Sequence, residues 1–397
     1  MANSLTAWNP EYWAPTMQET FLKESVALGI ANTELRMDLR DGDTLHKPYG
    51  SYPRVQTYTK GSDIKVKDLS TTDDYLTVAT AKVASFYVDD IDRMQNKYDT
   101  IVEFATIAQR QLNNAIDQAV MAEYQNVGTT LTAVDIGETA GSIALTAGNV
   151  ANVFTAAGRS LNSKNRNSTD RFALVGPRFL ETLQNYVGGR ETSFGEQVGA
   201  NGMVGSRFGF KVMLSNNLPF SATLTTSAAI ANAETVTIAG VTFTFKDTTT
   251  ATAGEVYSGG DDANTTANLV AAINGTGTPG ATTYVDISEE DRQKLEAAGI
   301  VAVDATTSLT LTGYGDIVVS ETMGQAANVW SVQKQYALMG VRGAIDLVTQ
   351  AEPQIAFRDA ELRLGKYVHP WTLFGKKTFT RNADSLVAVT LDASAWV

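Results

Sequence analysis

Between Lys97 and Asn126 the chain runs without a glycine or proline. Along it Ile101, Phe104, Ala105, Ala108, Leu112, Ala115, Ile116, Ala119 and Val120 recur at three- and four-residue spacing. Residues so spaced share one face of an α-helix. Gly128 closes the run. At ~1.5 Å per residue the helix would be about 45 Å long. A rod of that length outspans a small core, so it predicts a strut with other elements packed along it.

The remaining residues supply what packs. Apolar residues are 43% and charged residues 19% of 397, which predicts a globular chain of two or three domains. There is no cysteine and there are two histidines, which excludes disulfides, thiolate nucleophiles and Cys/His zinc sites. A net charge of -12 argues against a basic nucleic-acid reader. Met1-Ala2-Asn3-Ser4-Leu5 lacks the charged-then-apolar pattern of an export signal. No window approaches the ~18 apolar residues of a membrane span, so a soluble protein made in a cytosol is expected.

Charge is unevenly placed. Residues 221–328 hold 13 acidic and three basic residues and 22 threonines, while the remainder is nearly neutral. So abrupt a change in composition marks a domain border. The segment reads as a small α+β domain inserted into a host chain, its acidic surface a solvated face.

Local signals fill in the elements. Thr16, with Glu19 three residues on, caps a helix over 16–28 that stops at Gly29. Trp8, Tyr12 and Trp13 precede it and require burial on the fold or on a neighbouring subunit. Over 42–82, Ile64 and Val66 alternate with Lys65 and Lys67, which predicts two strands of a long hairpin. Its polar tip falls near Lys60-Gly61-Ser62-Asp63 or near Ser70–Asp74. A lone hairpin is marginal in water and needs a partner surface.

Arg171–Val175 and Phe210–Leu214 read as strands and Arg178–Val187 as a helix. The six glycines of 188–206 predict a mobile loop. In the acidic segment, Glu234–Ile238 and Val241–Phe245 form a hairpin around Ala239-Gly240. Asn264–Ile273 forms a helix, Ser288 caps another with Asp291 in the box position, and Leu309–Leu311 and Ile317–Val319 are strands. Ala344–Val348, Tyr367-Val368, Lys377–Thr380 and Leu386–Thr390 are further strands, and Trp396 suggests a C-terminus pinned by packing.

Chemical motifs are missing. Gly375-Lys376 lacks the upstream glycine of a phosphate loop. No Gly-x-Ser-x-Gly elbow is present, and Ser331–Lys334 matches Ser-x-x-Lys without its companion motifs. His46 and His369 read as surface or packing histidines. Asp41-Gly42-Asp43 and Asp261-Asp262 read as turns, because neither continues into a calcium loop. Asp89-Asp90 with Asp92 reads as a helix N-terminal cluster. No catalytic residue, metal or cofactor is expected, and the chain is not read as an enzyme.

The order of parts carries more information. Val88–Gln95 leads into the helix containing Gln109–Asp117. Gly209–Val212 is followed by Ser215-Asn216-Asn217-Leu218-Pro219, and Gly343–Leu347 by Arg358-Asp359. Together, over about 1–220 and 329–397, this resembles the tailed-bacteriophage major capsid (coat) protein family with the Hong Kong 97-type fold.

The resemblance implies an α+β chain divided as follows. Residues 1–41 are an N-terminal arm, 42–82 an extended loop that crosses a neighbour, and 83–144 a peripheral domain with the spine helix. Residues 145–220 begin an axial domain, 221–328 are the insertion, and 329–397 return through the axial domain to C-terminal strands of the peripheral domain. It further implies a homo-oligomer of pentamers and hexamers forming an icosahedral shell around double-stranded DNA. The other partners would be a portal protein and, given the short arm, a separate scaffolding protein. The shell belongs to the virion and assembles in host cytoplasm, with no membrane. Candidate inter-subunit contacts are Trp8, Trp13, Tyr52, Arg54, Tyr58, Lys60, Lys65 and Lys67. The three lysines are also candidates for the crosslink some relatives form, although no matching Asn can be assigned. Two other readings are an encapsulin-like bacterial compartment, which shares the fold, and a Thr-rich adhesin or carbohydrate-binding protein, suggested by the insertion alone.

Overall fold

A computed structural model describes residues 23–36, 42–64, 66, 68–95, 100–189, 205–226, 230–258, 262–359, 361 and 363–394. Its central feature is a sheet of nine strands, counted over those residues. Seven run in the order Val301–Asp304, Ser308–Tyr314, Pro219–Thr225, Trp330–Val341, Arg171–Val175, Phe210–Leu214 and Ser206–Arg207. Leu386–Asp392 pairs with the free side of Trp330–Val341, and Thr129–Leu131 pairs with Leu386–Asp392. Arg171–Val175 is buried at all five positions and runs parallel to Phe210–Leu214. A continuous apolar run suits a strand covered on both faces.

Helices Val150–Ser163 and Pro177–Gly188 provide cover through Val153, Phe154, Ala157 and Leu161, and through Phe179, Leu183 and Val187. Both sets follow helical spacing. The long helix forms as predicted but spans Thr100–Met121, so at ~1.5 Å per residue it is about 33 Å long. A 3-10 turn continues it over Ala122–Asn126. Its buried face carries Ala105, Ala108, Leu112, Ile116 and Val120. That face packs on a four-stranded sheet built from the long antiparallel pair Asp346–Asp359 and Gly365–Lys377. Thr80–Val83 and Phe86–Asp89 lie in tandem on the other edge of Gly365–Lys377.

The acidic segment keeps a core of its own around Val236, Phe243, Phe245, Leu269 and Tyr284. Its four-stranded sheet runs Glu255–Tyr257, Val241–Lys246, Thr235–Ile238, Val319–Glu321. The Ala239-Gly240 turn has φ of 51° and 81°, which matches the right-handed twist of the hairpin. Ser288 Oγ accepts the Asp291 N–H at 3.2 Å, as the capping motif requires. Two strands of the segment, Val301–Asp304 and Ser308–Tyr314, extend the nine-stranded sheet instead. Phe220, Trp330 and Ala393, outside 221–328, share the segment's core.

Four sequence readings are corrected. The strand read over Ile317–Val319 begins only at Val319 and runs to Glu321. Residues 16–22 lie outside the described residues, and the remainder of the helix read over 16–28 is irregular chain ending in a 3-10 turn, Ala27–Gly29. There the Val26 N–H is taken by the Asp117 carboxylate at 2.7 Å, in place of a helical carbonyl. The strand over Lys377–Thr380 stops at Lys377, because Thr380–Ala383 begins a short helix. Ile64 and Val66 belong to no strand, since no segment among the described residues pairs with them. The glycine-rich stretch 190–204, Trp8, Tyr12, Trp13, Lys65, Lys67 and Trp396 lie outside the described residues.

Candidate assembly surface

The segment 42–82 is held at its base and bare at its end. Thr44–His46 pairs antiparallel with Tyr75–Thr77, and Tyr49–Gly50 with Thr71–Thr72. The Ser51 N–H donates to Ser70 O at 2.8 Å. Beyond that, the Ser62 N–H donates to Thr59 O at 3.0 Å and closes a turn at the tip. This is the first of the two tip positions read from the sequence.

A charged network fixes the base. Asp74 is buried, lies 2.5 Å from Lys377 Nζ, and accepts from the Thr380 N–H and hydroxyl at 2.9 Å. Burial alone would raise its carboxyl, but the Lys377 ammonium and the Thr380 donors outweigh burial and hold it below the usual carboxylate range. The Arg381 guanidinium donates to the Tyr52 hydroxyl and to Gly50 O, and lies over the Tyr52 and Tyr49 rings at 4.4 and 5.2 Å. Asp346 is fully buried, with Lys47 at 3.8 Å and Asn32 Nδ2 at 2.7 Å. Burial outweighs these partners and raises its carboxyl. Leu76, Val78, Val348 and Phe379 form a small core beneath the network.

A second polar knot ties the first described residues to the long helix. Buried Asp117 accepts from Ser25 Oγ at 3.1 Å, Val26 N at 2.7 Å and Asn217 Nδ2 at 2.8 Å. Glu123 is likewise buried and accepts from Lys376 Nζ at 2.8 Å, Thr378 N at 3.1 Å and Asn126 Nδ2 at 3.0 Å. Burial opposes its charge, yet these donors hold its carboxyl low.

Past the clamp the loop leaves large apolar side chains uncovered. Tyr52 is 76%, Val55 96% and Val66 88% exposed, and Tyr58, Ile64 and Leu69 are exposed as well. Six large apolar side chains left bare within one loop suit an interaction surface. Of the candidate contacts, Tyr52 is placed against Arg381, and Arg54, Tyr58 and Lys60 are exposed. Asp74, Arg381 and Lys377 were missed by sequence reasoning. Only the Tyr49 and Tyr52 pair, three residues apart, hinted that a cation would be wanted there.

Asp41 and Asp261 lie outside the described residues, and among the described ones the residues considered for chemistry do not form a reactive site. His46 Nδ1 is 2.7 Å from Asp73 and exposed, and His369 Nδ1 is 2.8 Å from Ser85 Oγ with no carboxylate paired to it among the described residues. Ser331 Oγ donates to Thr223 O at 3.2 Å. Asp89 Oδ1 accepts the Ile91 N–H at 2.8 Å, capping the helix Asp90–Gln95. Among the described residues no group of three His, Cys, Asp or Glu is placed to hold a metal. None of their helices is long and apolar enough to cross a membrane.

No family model and no curated protein matches the chain. Solved structures do. One of Mycobacterium phage Che8 aligns with a TM-score of 0.60 at 14% identity, covering 97% of this chain and 98% of that one. The capsid of cyanophage P-SCSP1u aligns at 0.54 and 12%, covering 98% and 94%. The mature capsid of bacteriophage PhiM1 aligns at 0.51 and 13%, covering 96% and 92%. The chain therefore has the fold of phage capsid proteins, an α+β architecture matched over nearly its whole length.

Proposed function

We propose that this chain is a major capsid protein that self-assembles into the icosahedral shell of a tailed phage. The observation that carries the reading is the pairing of a clamped base with an uncovered apolar end in 42–82. A surface of that kind gains a core only by lying against another subunit, and many such modest contacts add up to a closed symmetric assembly. The near full-length likeness to capsid structures supports it.

On this reading 42–82 is the extended loop, 83–144 the peripheral domain, 145–220 the start of the axial domain, and 221–328 an inserted domain. Residues 329–397 return through both domains, and 1–41 form an arm whose Trp8 and Trp13 contact neighbours. Tyr52, Arg54, Tyr58, Lys60, Lys65 and Lys67 act at the loop contacts. The protein is structural and catalyses no reaction. Scaffolding and portal proteins join it in host cytoplasm, and double-stranded DNA fills the shell without sequence-specific contacts. The acidic insertion sits best on the outer face, away from packaged DNA that it would repel.

Electron microscopy of the purified protein tests the proposal. Closed shells of pentamers and hexamers are expected. A monomer that stays monomeric at high concentration, its loop docked on its own body, overturns it.

A further inference from the structure

We infer that a cavity beside helix Val150–Ser163 is a nucleotide site, in which two arginines take the phosphate and an exposed phenylalanine takes the base. The site goes beyond the shell reading and does not depend on it. The cavity has a volume of about 610 Å³, within the range of small-molecule sites. Arg171 lines it and is only 7% exposed. Its Nε donates to Asn167 O at 2.8 Å, and its Nη2 to Asn162 Oδ1 at 2.7 Å and Arg166 O at 3.1 Å. Nη1 donates to no group among the described residues. No carboxylate among them pairs with this guanidinium, so burial lowers its pKa with nothing to offset it. A buried charge is costly until an opposite charge joins it. Arg159, exposed along the same cavity, donates to Asp135 O at 3.1 Å and likewise forms no ion pair among the described residues. Two guanidinium forks opening on one cavity suit a phosphate, which each can grip bidentately.

The rest of the lining is aromatic and polar. Phe154 is buried, and Phe208 stacks on it with ring centroids 5.4 Å apart and planes 23° from parallel, leaving Phe208 44% exposed. Phe208 and Gly209 form the two-residue turn between strands Ser206–Arg207 and Phe210–Leu214, with φ of 54° and 82°. Such a turn favours asparagine at its first position, and a bulky ring there is strained. Strain kept at a half-bare ring beside a cavity points to use by a ligand. Planar bases stack on a ring of this kind whatever their sequence. Along the helix, the hydroxyls of Thr155 and Ser163 donate to Asn152 O and Ser160 O at 3.0 and 2.8 Å, which leaves their oxygens as acceptors. Asn162 uses its Oδ1 for Arg171 and keeps its Nδ2 as a donor. Acceptor oxygens repel the carboxylates of an acidic peptide but suit the amino groups of a base. The lining therefore favours a nucleotide over an acidic peptide.

Titration calorimetry of the full chain with dAMP, deoxyadenosine, inorganic phosphate, a single-stranded deoxyadenosine oligomer and a glutamate-rich peptide tests the assignment. dAMP is expected to bind, and deoxyadenosine and phosphate to bind about tenfold more weakly, since each keeps one half of the ligand. Arg159→Gln, at an exposed position, should weaken dAMP and phosphate alike by about tenfold. Phe208→Asn should weaken dAMP by about tenfold and leave phosphate unchanged, with a thermal midpoint equal or higher because the turn is relieved. The oligomer separates the sources of the ligand. Tighter binding than dAMP gives the site to a nucleic-acid strand, and equal or weaker binding gives it to free nucleotide. Phosphate binding as tightly as dAMP makes the cavity an anion site only and overturns the assignment. So does a glutamate-rich peptide that binds more tightly than dAMP, or no binding at millimolar dAMP. A Phe208→Asn variant whose midpoint falls while its dAMP affinity holds makes the ring a packing element and overturns it as well. None of these outcomes touches the shell reading, which electron microscopy decides separately.

Discussion

Arg381 and Tyr52 stand 329 residues apart in sequence, yet the guanidinium lies 4.4 Å from the ring and donates to the phenol oxygen. The contact ties the departing strand of the exposed loop to the short helix Thr380–Ala383, just before the last strand of the main sheet. A cation over an aromatic face at an exposed site is worth about 0.5–1 kcal/mol. Arg381→Ala should therefore leave the global thermal midpoint nearly unchanged. It should speed hydrogen exchange at Gly50, Ser51 and Thr72 and, under the proposed function, slow shell growth followed by light scattering.

The two buried aspartates beside the loop should answer oppositely to neutralisation. Asp74 has a folded-state pKa below its ordinary value, so its stabilising contribution is present above the unfolded pKa and is lost as pH falls through the lowered one. Glu123 behaves likewise. Asp346 has a raised pKa, so its charge costs stability above its folded pKa and protonation relieves that cost. At pH 7, Asp74→Asn should cost about 1–3 kcal/mol through the unpaired Lys377. Asp346→Asn should leave the midpoint equal or higher. In melting curves from pH 6 to pH 3, the parent's loss below about pH 4 should be shallower in Asp74→Asn.

Gly375 marks a close crossing. A Cβ there would lie 2.5 Å from Thr77 O and 2.9 Å from Val78 Cα, both backbone atoms with little room to yield. Gly375→Ala should destabilise by about 1–3 kcal/mol, as overpacking does. The loss should be concentrated in the loop base, read as accelerated exchange at Leu76 and Val78.

The hairpin turn of the acidic segment is not optimal. Ala239 sits at φ 51°, in the left-handed region, where a Cβ is unwelcome and an Asn-Gly pair is favoured. Ala239→Asn should raise the thermal midpoint by an amount equivalent to about 0.5–1 kcal/mol. A fall would mean that the Ala239 methyl packs better than the turn strain costs.

What the sequence made legible were features written in neighbouring residues. The long helix, the Ala239-Gly240 hairpin and the Ser288 cap each depend on residues within a turn or two, and each formed. The order of parts also led to the right fold. Features set by distant partners were hidden. Nothing local in Ser25-Val26 signals that Asp117 will take their donors, so a helix was expected there. Nothing in the alternation of Leu309 and Leu311 with threonines says that the strand Ser308–Tyr314 will pair with Pro219–Thr225 instead of closing a separate module. The clamp of Asp74, Lys377 and Arg381 joins residues some 300 positions apart, and charged side chains of this kind look like any solvated face until the partners are in place.

The continuity of the main sheet into the acidic segment has a mechanical consequence. Pro219–Thr225 is bonded along its length to Ser308–Tyr314 on one side and to Trp330–Val341 on the other. A tug on the segment along those strands loads many hydrogen bonds at once, where a hinged appendage would let them unzip singly. Anything that grips the threonine-rich knob thus holds a stiff handle, and force applied there travels into the main sheet.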